Sequence, residues 1–365
     1  MRILLLSHTY SPWTRHYARF FHARGDDLLV VSFSKGTIGD IPIEFIGVDP
    51  WNKYANKHIY FTRVPRLRRI IQRFKPDIIY APFVASNGLS AVLAWNGPIV
   101  TSARGGDVLD QIGRKGLRRK IREALVRFVC KRCAMVHSVS RELEDELIRL
   151  GVPESKLFLI PVGVDTARFH PAPDMPRCPA THILCSRKHE PIYDNITLVE
   201  ALARLKADGR EFRCTFASEG VLLESLKQRV HELGLDDRTT YTGELPHDQV
   251  PELYRHADIY VSASLSDGTS SALLEALATG LFPIVSRIPA NTPWIEHERT
   301  GLLFEPHSVD QLTRLLERAM DDADLRRNAF TLNRRHVEQD GDMARNMDHL
   351  ARMLEQVVHS KCPGH

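Results

Sequence analysis

The sequence predicts an α/β protein made of two Rossmann-like, doubly wound domains that face a central cleft. Short, continuously apolar runs alternate with segments of helical period, which is typical of parallel sheets covered by helices on both faces. This alternation restarts near residue 164, and a length of 365 residues favours two domains over one. Such folds bind ligands beyond the carboxyl ends of their strands, so we expect the functional site between the domains.

The first predicted domain covers residues 1–163, and the second covers residues 164–341. Strands are expected in the first domain at residues 2–7, 28–33, 41–48, 78–81, 99–102, 135–139 and 157–161. Strands are expected in the second domain at residues 182–186, 213–217, 239–242, 259–262, 282–286 and 301–304. Helical periodicity follows at residues 310–320, 325–333 and 342–358, and a last helix at about 342–365 is long enough to pack back on the first domain.

Composition excludes several classes of protein. The hydrophobic content of 43% and the charged content of 26% are ordinary for a globular protein. No apolar run approaches the roughly 18 residues that a membrane span needs. The opening MRILLLSHTY lacks the apolar core of a signal peptide, so we interpret it as the buried first strand of a cytoplasmic protein. No G-x-G-x-x-G follows that strand, which argues against a nicotinamide cofactor.

The cysteines and acidic residues give no metal-binding pattern. Cys130 and Cys133 form a C-x-x-C, but neither a second such pair nor a histidine follows at metal-ligand spacing. We therefore expect reduced, structural thiols. No Asp-x-Asp ends a predicted strand, so no metal site is predicted.

The stretch from residue 259 to residue 280 predicts a strand, a polar turn and a helix. The helix opens at Gly268–Ser271, where free backbone N–H groups and the positive end of the helix dipole favour an anion such as phosphate. Glu275 lies about 7 Å further along the helix axis, where its carboxylate could accept hydrogen bonds from ribose hydroxyls. The alternative is an ordinary turn that is capped by Ser270 or Ser271 and leaves Glu275 solvated.

Five segments occur in an order that resembles one enzyme family. They are IPVGVDTARFHP, LCSRKHEPIYDNITLVEALARL, YTGELPHDQVPELYRHADIYVSAS, SDGTSSALLEALATG and GLLFEPHSVDQL. Together they resemble the retaining, nucleotide-sugar-dependent glycosyltransferases of the GT-B fold, family 4 (glycosyltransferase group 1). The first domain resembles this family more loosely, through RILLLSH and TSARGGDVL.

The resemblance implies that a sugar is transferred from a nucleoside diphosphate to an acceptor, and it assigns the site residues. Arg187 would bind the diphosphate, Asp267 the hydroxyls of the donor sugar, and Glu275 the ribose. Lys188 is the weaker phosphate candidate because neighbouring residues on a strand point to opposite faces, unless the strand has already ended before it. The donor-binding candidates implied are Lys188, Leu245 in the base-binding loop, Gly268, Thr269, Ser270 and Ser271. The nucleotide sugar would be a co-substrate, with no cofactor and no metal.

The chain also departs from the family pattern. Asp267 stands where a glutamate is usual, and Ile192 stands where a lysine usually pairs with the arginine on the diphosphate. The segment TYSPWTRHY after the first strand has no glycine pair, and Arg104 replaces a histidine that is common there. Two alternatives therefore stay open: a GT-B fold UDP-sugar epimerase, and a nucleotide-sugar-binding protein that has lost catalysis.

Candidate acceptor-side residues follow two strands of the first domain. Arg104, Gly105 and Asp107 come after the predicted strand 99–102, and glycine lets a ligand approach the backbone closely. The alternative is a plain loop in which Asp107 caps the next helix. Trp13, Arg15 and His16 are placed on the loop after the first strand, where they could meet the acceptor.

Positive charge is concentrated in the first domain, although the net charge is only +4. Residues 114–132 contain nine Lys or Arg and one acid, and residues 63–75 contain six basic residues and no acid. A basic amphipathic helix favours contact with an anionic membrane, which would suit a lipid-linked or other glycan acceptor at the inner face of a membrane. The alternative is a solvated helix whose apolar face belongs to the core. Nucleic acid is disfavoured because no recognition module is present.

Overall fold

We describe the fold from a computed structural model, which covers residues 1–50, 56–109, 116–171, 180–246 and 248–360. Over these ranges the chain separates into two compact units. The first unit comprises Met1–Pro161 and Met347–His365, and the second comprises Val162–Asn346. The Pro-rich residues 172–179 that follow the predicted junction lie outside the described ranges.

The described strands of the first unit form one parallel sheet of seven. They are β1 (Arg2–Ser7), β2 (Asp27–Ser32), β3 (Ile43–Phe45), β4 (Ile78–Pro82), β5 (Ile99–Ala103), β6 (Met135–Ser138) and β7 (Leu157–Leu159), in the order β3-β2-β1-β4-β5-β6-β7. Ile3 of β1 lies between Leu28 of β2 and Ile78 of β4, and all three side chains are buried. Burial on both faces explains why these strands occur in the sequence as continuous apolar runs.

Helices connect the strands of the first unit. They are α1 (Pro12–Ala23), α2 (Ile59–Thr62), α3 (Val64–Phe74), α4 (Leu89–Ala94), α5 (Leu117–Arg132) and α6 (Arg141–Arg149), with short helical turns at Val84–Gly88 and Glu154–Lys156. From Met347 onward, the last helix of the described chain also belongs to this unit. Its residue Glu355 forms an ion pair of 2.8 Å with Arg24, just after α1.

The second unit has a parallel sheet of six strands within the described ranges. They are β8 (Thr181–Cys185), β9 (Phe212–Ala217), β10 (Thr239–Gly243), β11 (Ile259–Ser262), β12 (Phe282–Ser286) and β13 (Leu302–Phe304), in the order β10-β9-β8-β11-β12-β13. The strand order reverses between the adjacent strands β8 and β11. At such a switch point the following segments leave in opposite directions, and the crevice between them is where doubly wound folds bind ligands.

Helices connect the strands of the second unit or follow the last of them. They are α7 (Asn195–Ala207), α8 (Leu223–Glu232), α9 (Val250–Arg255), α10 (Ser271–Thr279), α11 (Val309–Asp321), α12 (Ala323–His336) and α13 (Met343–Ser360), with short helical turns at Pro191–Tyr193 and Val337–Gly341. The last helix, α13, belongs to the first unit from Met347 onward. One face of the sheet packs against α7, α8 and α11, and the other packs against α9 and α10.

The fold class predicted from the sequence is confirmed, and each predicted strand overlaps an observed one. The predicted strand 41–48 is the clearest difference, because pairing is confined to Ile43–Phe45. The Pro42 carbonyl still accepts a hydrogen bond of 3.0 Å from the Val30 N–H. Proline has no N–H of its own, however, so it cannot continue the ladder.

The polar stretch after β1 is a helix, so the predicted loop is wrong. Helix α1 begins at Pro12, after Ser11, and therefore contains Trp13, Arg15 and His16. Proline suits the first helical position because its φ is already helical and its missing N–H would have had no partner there.

Candidate functional site

The turn between β11 and α10 has the helix start that the sequence predicts. Ser270 is the N-cap, and its hydroxyl accepts a hydrogen bond of 3.3 Å from the Leu273 N–H. Gly280 ends the helix at φ +95°, a left-handed conformation that a side chain would disfavour. The N–H groups of the first turn of α10 have no partners within the helix, and they carry the positive end of its dipole. Capping by Ser270 is thus observed, and it leaves the helix mouth suited to an anion.

Arg187 connects the turns that follow β8 and β11. Its side chain is buried; Nη1 donates to Ser270 Oγ at 2.8 Å, and Nη2 donates to Asp267 Oδ2 at 2.6 Å. The guanidinium carbon lies 4.2 Å from the centre of the Tyr193 ring. Burial lowers the pKa of Arg187, but the charge of Asp267 more than offsets it, so the pKa lies above its ordinary value. The structure therefore brings Arg187 together with two residues that lie 80 and 83 positions further along the sequence.

The pairing of Arg187 with Asp267 was not expected from the sequence, which assigns them different parts of the donor. The two charges neutralise each other in the ligand-free site. One polar atom stays available, since Arg187 Nε is buried without a hydrogen-bond partner in the described part of the chain. An unpaired buried N–H group is unfavourable and would gain from a bound acceptor oxygen.

Lys188 lies beyond the end of its strand, so the argument from alternating strand faces does not apply to it. Strand β8 ends at Cys185, and Lys188 is exposed in the loop that follows. Ile192, which replaces the usual lysine, is half-buried, and its carbonyl accepts a hydrogen bond of 2.8 Å from the Leu265 N–H. This bond ties the Pro191–Tyr193 turn to the loop after β11.

Glu275 is the fifth residue of α10 and is partly buried. Burial raises the pKa of its carboxyl group to about 7, although the neighbouring Tyr254 hydroxyl and the charge of Arg187 act in the opposite direction. The hydroxyl of Tyr254 also lies 2.6 Å from Ser186 Oγ, just after β8. Glu275 is therefore a proton-binding group near neutral pH rather than a solvated carboxylate. Sequence reasoning missed Tyr254, which lies in one of the family-like segments but has no distinguishing pattern.

Leu245, the candidate from the base-binding loop, lies between β10 and α9. It is half-buried, two residues after Gly243, which adopts φ +65° beside Glu219. Strand β10 is two places from β8, which corresponds to about 10 Å at the usual spacing between strands. Leu245 thus lies on the same edge of the sheet as Arg187, but at some distance from it.

In the first unit, Asp107 braces two loops. Its carboxylate accepts hydrogen bonds of 3.0 Å from the Arg104 N–H and 2.9 Å from the Val84 N–H. It therefore joins the ends of β4 and β5, and it does not simply cap a following helix. Burial raises the pKa of Asp107. Gly105, within the same turn, has φ +135°, a conformation that glycine tolerates best.

Arg104 connects this turn to α1. Its guanidinium donates to the hydroxyl of Tyr17, and its carbon lies 4.9 Å from the centre of the Trp13 ring. His16 is the next aromatic neighbour, with its ring 5.9 Å from that of Trp13. Arg15 is exposed and donates from Nε to the Thr9 carbonyl at 3.1 Å. The predicted acceptor-side residues thus cluster at the start of α1 and the end of β5, together with Tyr17, which sequence reasoning missed.

Two family models match the chain, one for each half. The model described as Glycosyl transferases group 1 matches residues 184–335, and the model described as Glycosyltransferase Family 4 matches residues 12–168. The first match contains the Arg187, Asp267 and Glu275 positions. The second contains the cluster around Arg104.

Curated relatives and a solved structure agree with these matches. The sulfoquinovosyl transferase SQD2 of Arabidopsis thaliana is 26% identical over 336 residues, covering 86% of this chain and 64% of that protein. A GDP-mannose-dependent alpha-(1-6)-phosphatidylinositol monomannoside mannosyltransferase of Mycobacterium tuberculosis is 28% identical over 192 residues, covering 47% of this chain and 49% of that protein. The matched regions thus span from about half to just under two thirds of the length of these relatives.

A crystal structure of Anabaena HepE in complex with UDP shows the same fold. Its TM-score is 0.80 at 16% sequence identity, covering 98% of this chain and 100% of that chain. Identity this low supports the fold alone.

Proposed function

This chain belongs to the group 1 and family 4 glycosyltransferases of the GT-B fold, and from that premise we propose that it transfers a sugar from a nucleoside diphosphate sugar to a hydroxyl acceptor with retention of configuration. The observation that carries the proposal is the cluster of Arg187, Asp267 and Ser270 at the switch point of the second sheet. A buried guanidinium beside a helix N-terminus is suited to a diphosphate.

The diphosphate would bind between the Arg187 guanidinium and the first turn of α10. Arg187 is already held in place by Ser270 and by the Tyr193 ring, so little side-chain entropy is lost on binding. Its unpaired Nε offers a donor for a phosphate oxygen. As the diphosphate engages Arg187, Asp267 is released to accept hydrogen bonds from hydroxyls of the donor sugar.

Glu275 would bind the ribose of the donor. Vicinal hydroxyls donate to a carboxylate, so binding selects the ionised form of a group whose pKa is about 7. The Tyr254 hydroxyl, which lies 2.6 Å from Ser186 Oγ, is a polar neighbour of this carboxylate. We do not assign the nucleotide base of the donor, because the HepE structure contains UDP whereas the mycobacterial relative is GDP-mannose-dependent.

The transfer step needs stabilisation of a leaving group more than a protein nucleophile. The bond from the anomeric carbon to the diphosphate oxygen breaks while the acceptor oxygen bonds to the same face of the sugar. The departing phosphate oxygen takes the acceptor's proton. Negative charge develops on the diphosphate, where Arg187 and the α10 N-terminus stabilise it in the transition state. We propose on this basis that transfer does not depend on a metal ion.

The acceptor would be a glycan or a lipid-linked glycan, bound by the Arg104 cluster of the first unit. Arg104 and Trp13 offer a cation and an aromatic face for a sugar ring or a polar headgroup. A lipid acceptor is supported by the mycobacterial relative, whose name specifies a phosphatidylinositol mannoside. No helix of the described residues is both long and apolar enough to cross a membrane. The proposed place of action is the inner face of a membrane, which the protein would reach peripherally.

A binding screen followed by a transfer assay tests the proposal. Thermal unfolding is measured with UDP, GDP, ADP and their sugars; a ligand at 100 times its dissociation constant adds about 2.7 kcal/mol. At least one nucleoside diphosphate should stabilise the chain, and Glu275→Gln should abolish that shift. Sugar turnover without an acceptor would indicate an epimerase, and tight binding without hydrolysis or transfer would indicate a lapsed enzyme. Either outcome, or no stabilisation by any nucleotide, would overturn the proposal.

A further inference from the structure

Helix α5 has two apolar faces, and one of them is exposed. Val126, Val129 and Cys130 are buried in the first unit. Leu117 is 72% exposed, Ile121 is 59% exposed and Phe128 is 37% exposed. Packing against the core explains the apolar residues Val126, Val129 and Cys130. It does not explain why the exposed positions 117, 121 and 128 are also apolar. The alternative raised by the sequence, a solvated helix whose apolar face belongs to the core, therefore does not explain the exposed apolar residues of α5.

The exposed residues form one continuous stripe. Leu117, Ile121, Ala124 and Phe128 are exposed, and they recur at intervals of four, three and four residues. At 3.6 residues per turn, these positions fall within about 60° of one another. The buried residues Val126, Val129 and Cys130 lie on the opposite side of the same helix. The stripe, which we call the α5 stripe, is thus a surface feature and not the edge of the core.

Basic side chains border the α5 stripe on both sides. Lys120 and Lys131 lie on one side and Arg132 on the other, and all three are exposed. Among the described residues, no carboxylate forms an ion pair with any of them. The Arg132 guanidinium carbon lies 4.3 Å from the centre of the Phe128 ring. Arg114, Lys115 and the side chain of Arg118, which belong to the same basic stretch, lie outside the described parts of the chain.

Helix α3 is also basic, but it lacks such a stripe. Its apolar residues Val64, Leu67, Ile70 and Ile71 are all buried. Its exposed positions include Arg66 and Arg69. Here the solvated-helix alternative fits, so the two basic helices of the first unit differ in kind. Helix α3 therefore provides an internal control for the effect of charge alone.

We propose that the α5 stripe inserts into the surface of an anionic lipid bilayer, with α5 lying in the membrane plane. Leu117, Ile121 and Phe128 would enter the boundary between headgroups and acyl chains, and Lys120, Lys131 and Arg132 would contact lipid phosphates. A second copy of this chain is disfavoured because a symmetric contact would place these cations against one another. A nucleic acid would leave the aliphatic stripe without an apolar partner. The inference rests on the proposed lipid-linked acceptor, and it assigns the surface that reaches it.

Vesicle flotation of the full chain tests this inference without any nucleotide sugar. The probes are vesicles of phosphatidylcholine alone and of equal parts phosphatidylcholine and phosphatidylglycerol. We expect flotation with the anionic vesicles only, lost at about 1 M salt, where the Debye length falls to about 3 Å. Leu117→Ser/Ile121→Ser removes the stripe and keeps the charge, and should lower partitioning at least tenfold. Lys120→Gln/Lys131→Gln/Arg132→Gln should do the same. Arg66→Gln/Arg68→Gln/Arg69→Gln on α3, which also removes three exposed cations, is the matched control and should change partitioning less than twofold.

The outcomes separate the surface from the reaction. If vesicle binding is lost when the three cations of α5 are replaced but not when Leu117 and Ile121 are replaced, the helix adsorbs to the bilayer without inserting, and the inference is overturned. An equal loss of vesicle binding in the α3 control would also overturn it. Concentration-dependent dimerisation that Leu117→Ser/Ile121→Ser abolishes would identify a second copy as the occupant. Donor binding, measured on the same variants by thermal shift, should be unchanged. A failure to float with intact donor binding would refute the membrane surface and leave the proposed transfer reaction standing.

Discussion

Replacing Glu275 by glutamine should stabilise the protein at alkaline pH while removing donor binding. Burial raises the pKa of Glu275 from its ordinary 4.5 to about 7. Between these values the folded carboxyl group keeps a proton that the unfolded chain has released. Stability therefore falls as pH rises from about 4.5 to about 7 and stays lower above that. Each unit by which folding raises the pKa corresponds to about 1.36 kcal/mol. The ionised carboxylate therefore lowers the free energy of unfolding by about 3 kcal/mol at pH 8.

Glutamine avoids that cost because it has no charge and is nearly the same size and shape as glutamate. The free energy of unfolding is measured by urea denaturation of both variants, without ligand, from pH 4 to pH 8. The difference should be close to zero at pH 4 and should grow to about 3 kcal/mol in favour of Glu275→Gln at pH 8. The slopes with urea should match, so that the comparison reports stability and not a changed unfolded state. A difference that is independent of pH would refute the assignment of a raised pKa.

The same titration predicts how donor affinity depends on pH. If ribose hydroxyls donate to the ionised Glu275, then affinity falls about tenfold for each pH unit below 7, because a proton competes with the ligand. In the Glu275→Gln variant, affinity should be weak and should not follow this dependence. The measurement is isothermal titration with the nucleoside diphosphate that the binding screen identifies. Unchanged affinity in the folded variant would remove Glu275 from the site.

The remaining predictions concern the diphosphate. Arg187→Ala should lower kcat/KM by two orders of magnitude or more, by analogy with about 3 kcal/mol for a lost oxyanion donor. Lys188 is exposed, so Lys188→Ala should have a small effect. Equal effects of the two substitutions would show that the family motif is misaligned here. Tyr193→Leu should lower kcat/KM about tenfold by removing the ring that packs on Arg187, and Tyr193→Phe should preserve it; a large loss with phenylalanine would assign the role to the hydroxyl instead. Transfer should persist in excess chelator, and activity restored only by Mg²⁺ or Mn²⁺ would contradict metal independence.

Local patterns in the sequence predict the strands and the helix start at Ser270 because their causes are local. Continuous apolar runs mark strands buried on both faces, and a serine before a run of helix formers marks an N-cap. The beginning of α1 was missed because Pro12 both breaks strands and starts helices, and the sequence alone does not decide between these roles. The strand end near Lys188 is a similar case, since β8 ends at Cys185 and the sequence alone leaves open whether the strand continues to Lys188.

Local sequence patterns do not predict which distant segments come into contact. Arg187 and Asp267 are 80 residues apart, and they meet because β8 and β11 are neighbours at the switch point of the sheet. Tyr193 and Tyr254 contribute a packed ring and a hydrogen-bonding hydroxyl, respectively, and in sequence each looks like any buried aromatic residue. Periodicity identifies which face of an element is buried, but it does not identify which side chains meet beyond the ends of the strands.

The charged residues of the site compensate one another, and this follows from how they are arranged. Arg187 is paired with Asp267, and burial raises the pKa of Glu275 to about 7, which favours the uncharged form of this carboxyl group. A buried, unpaired charge would destabilise the fold, so each is compensated while the donor is absent. A diphosphate and a ribose would replace these compensations with phosphate oxygens for Arg187 and hydroxyl groups for Asp267 and Glu275. The site thereby gains its charged, donor-binding form only when the donor supplies the partners, which couples donor binding to release of the Glu275 proton.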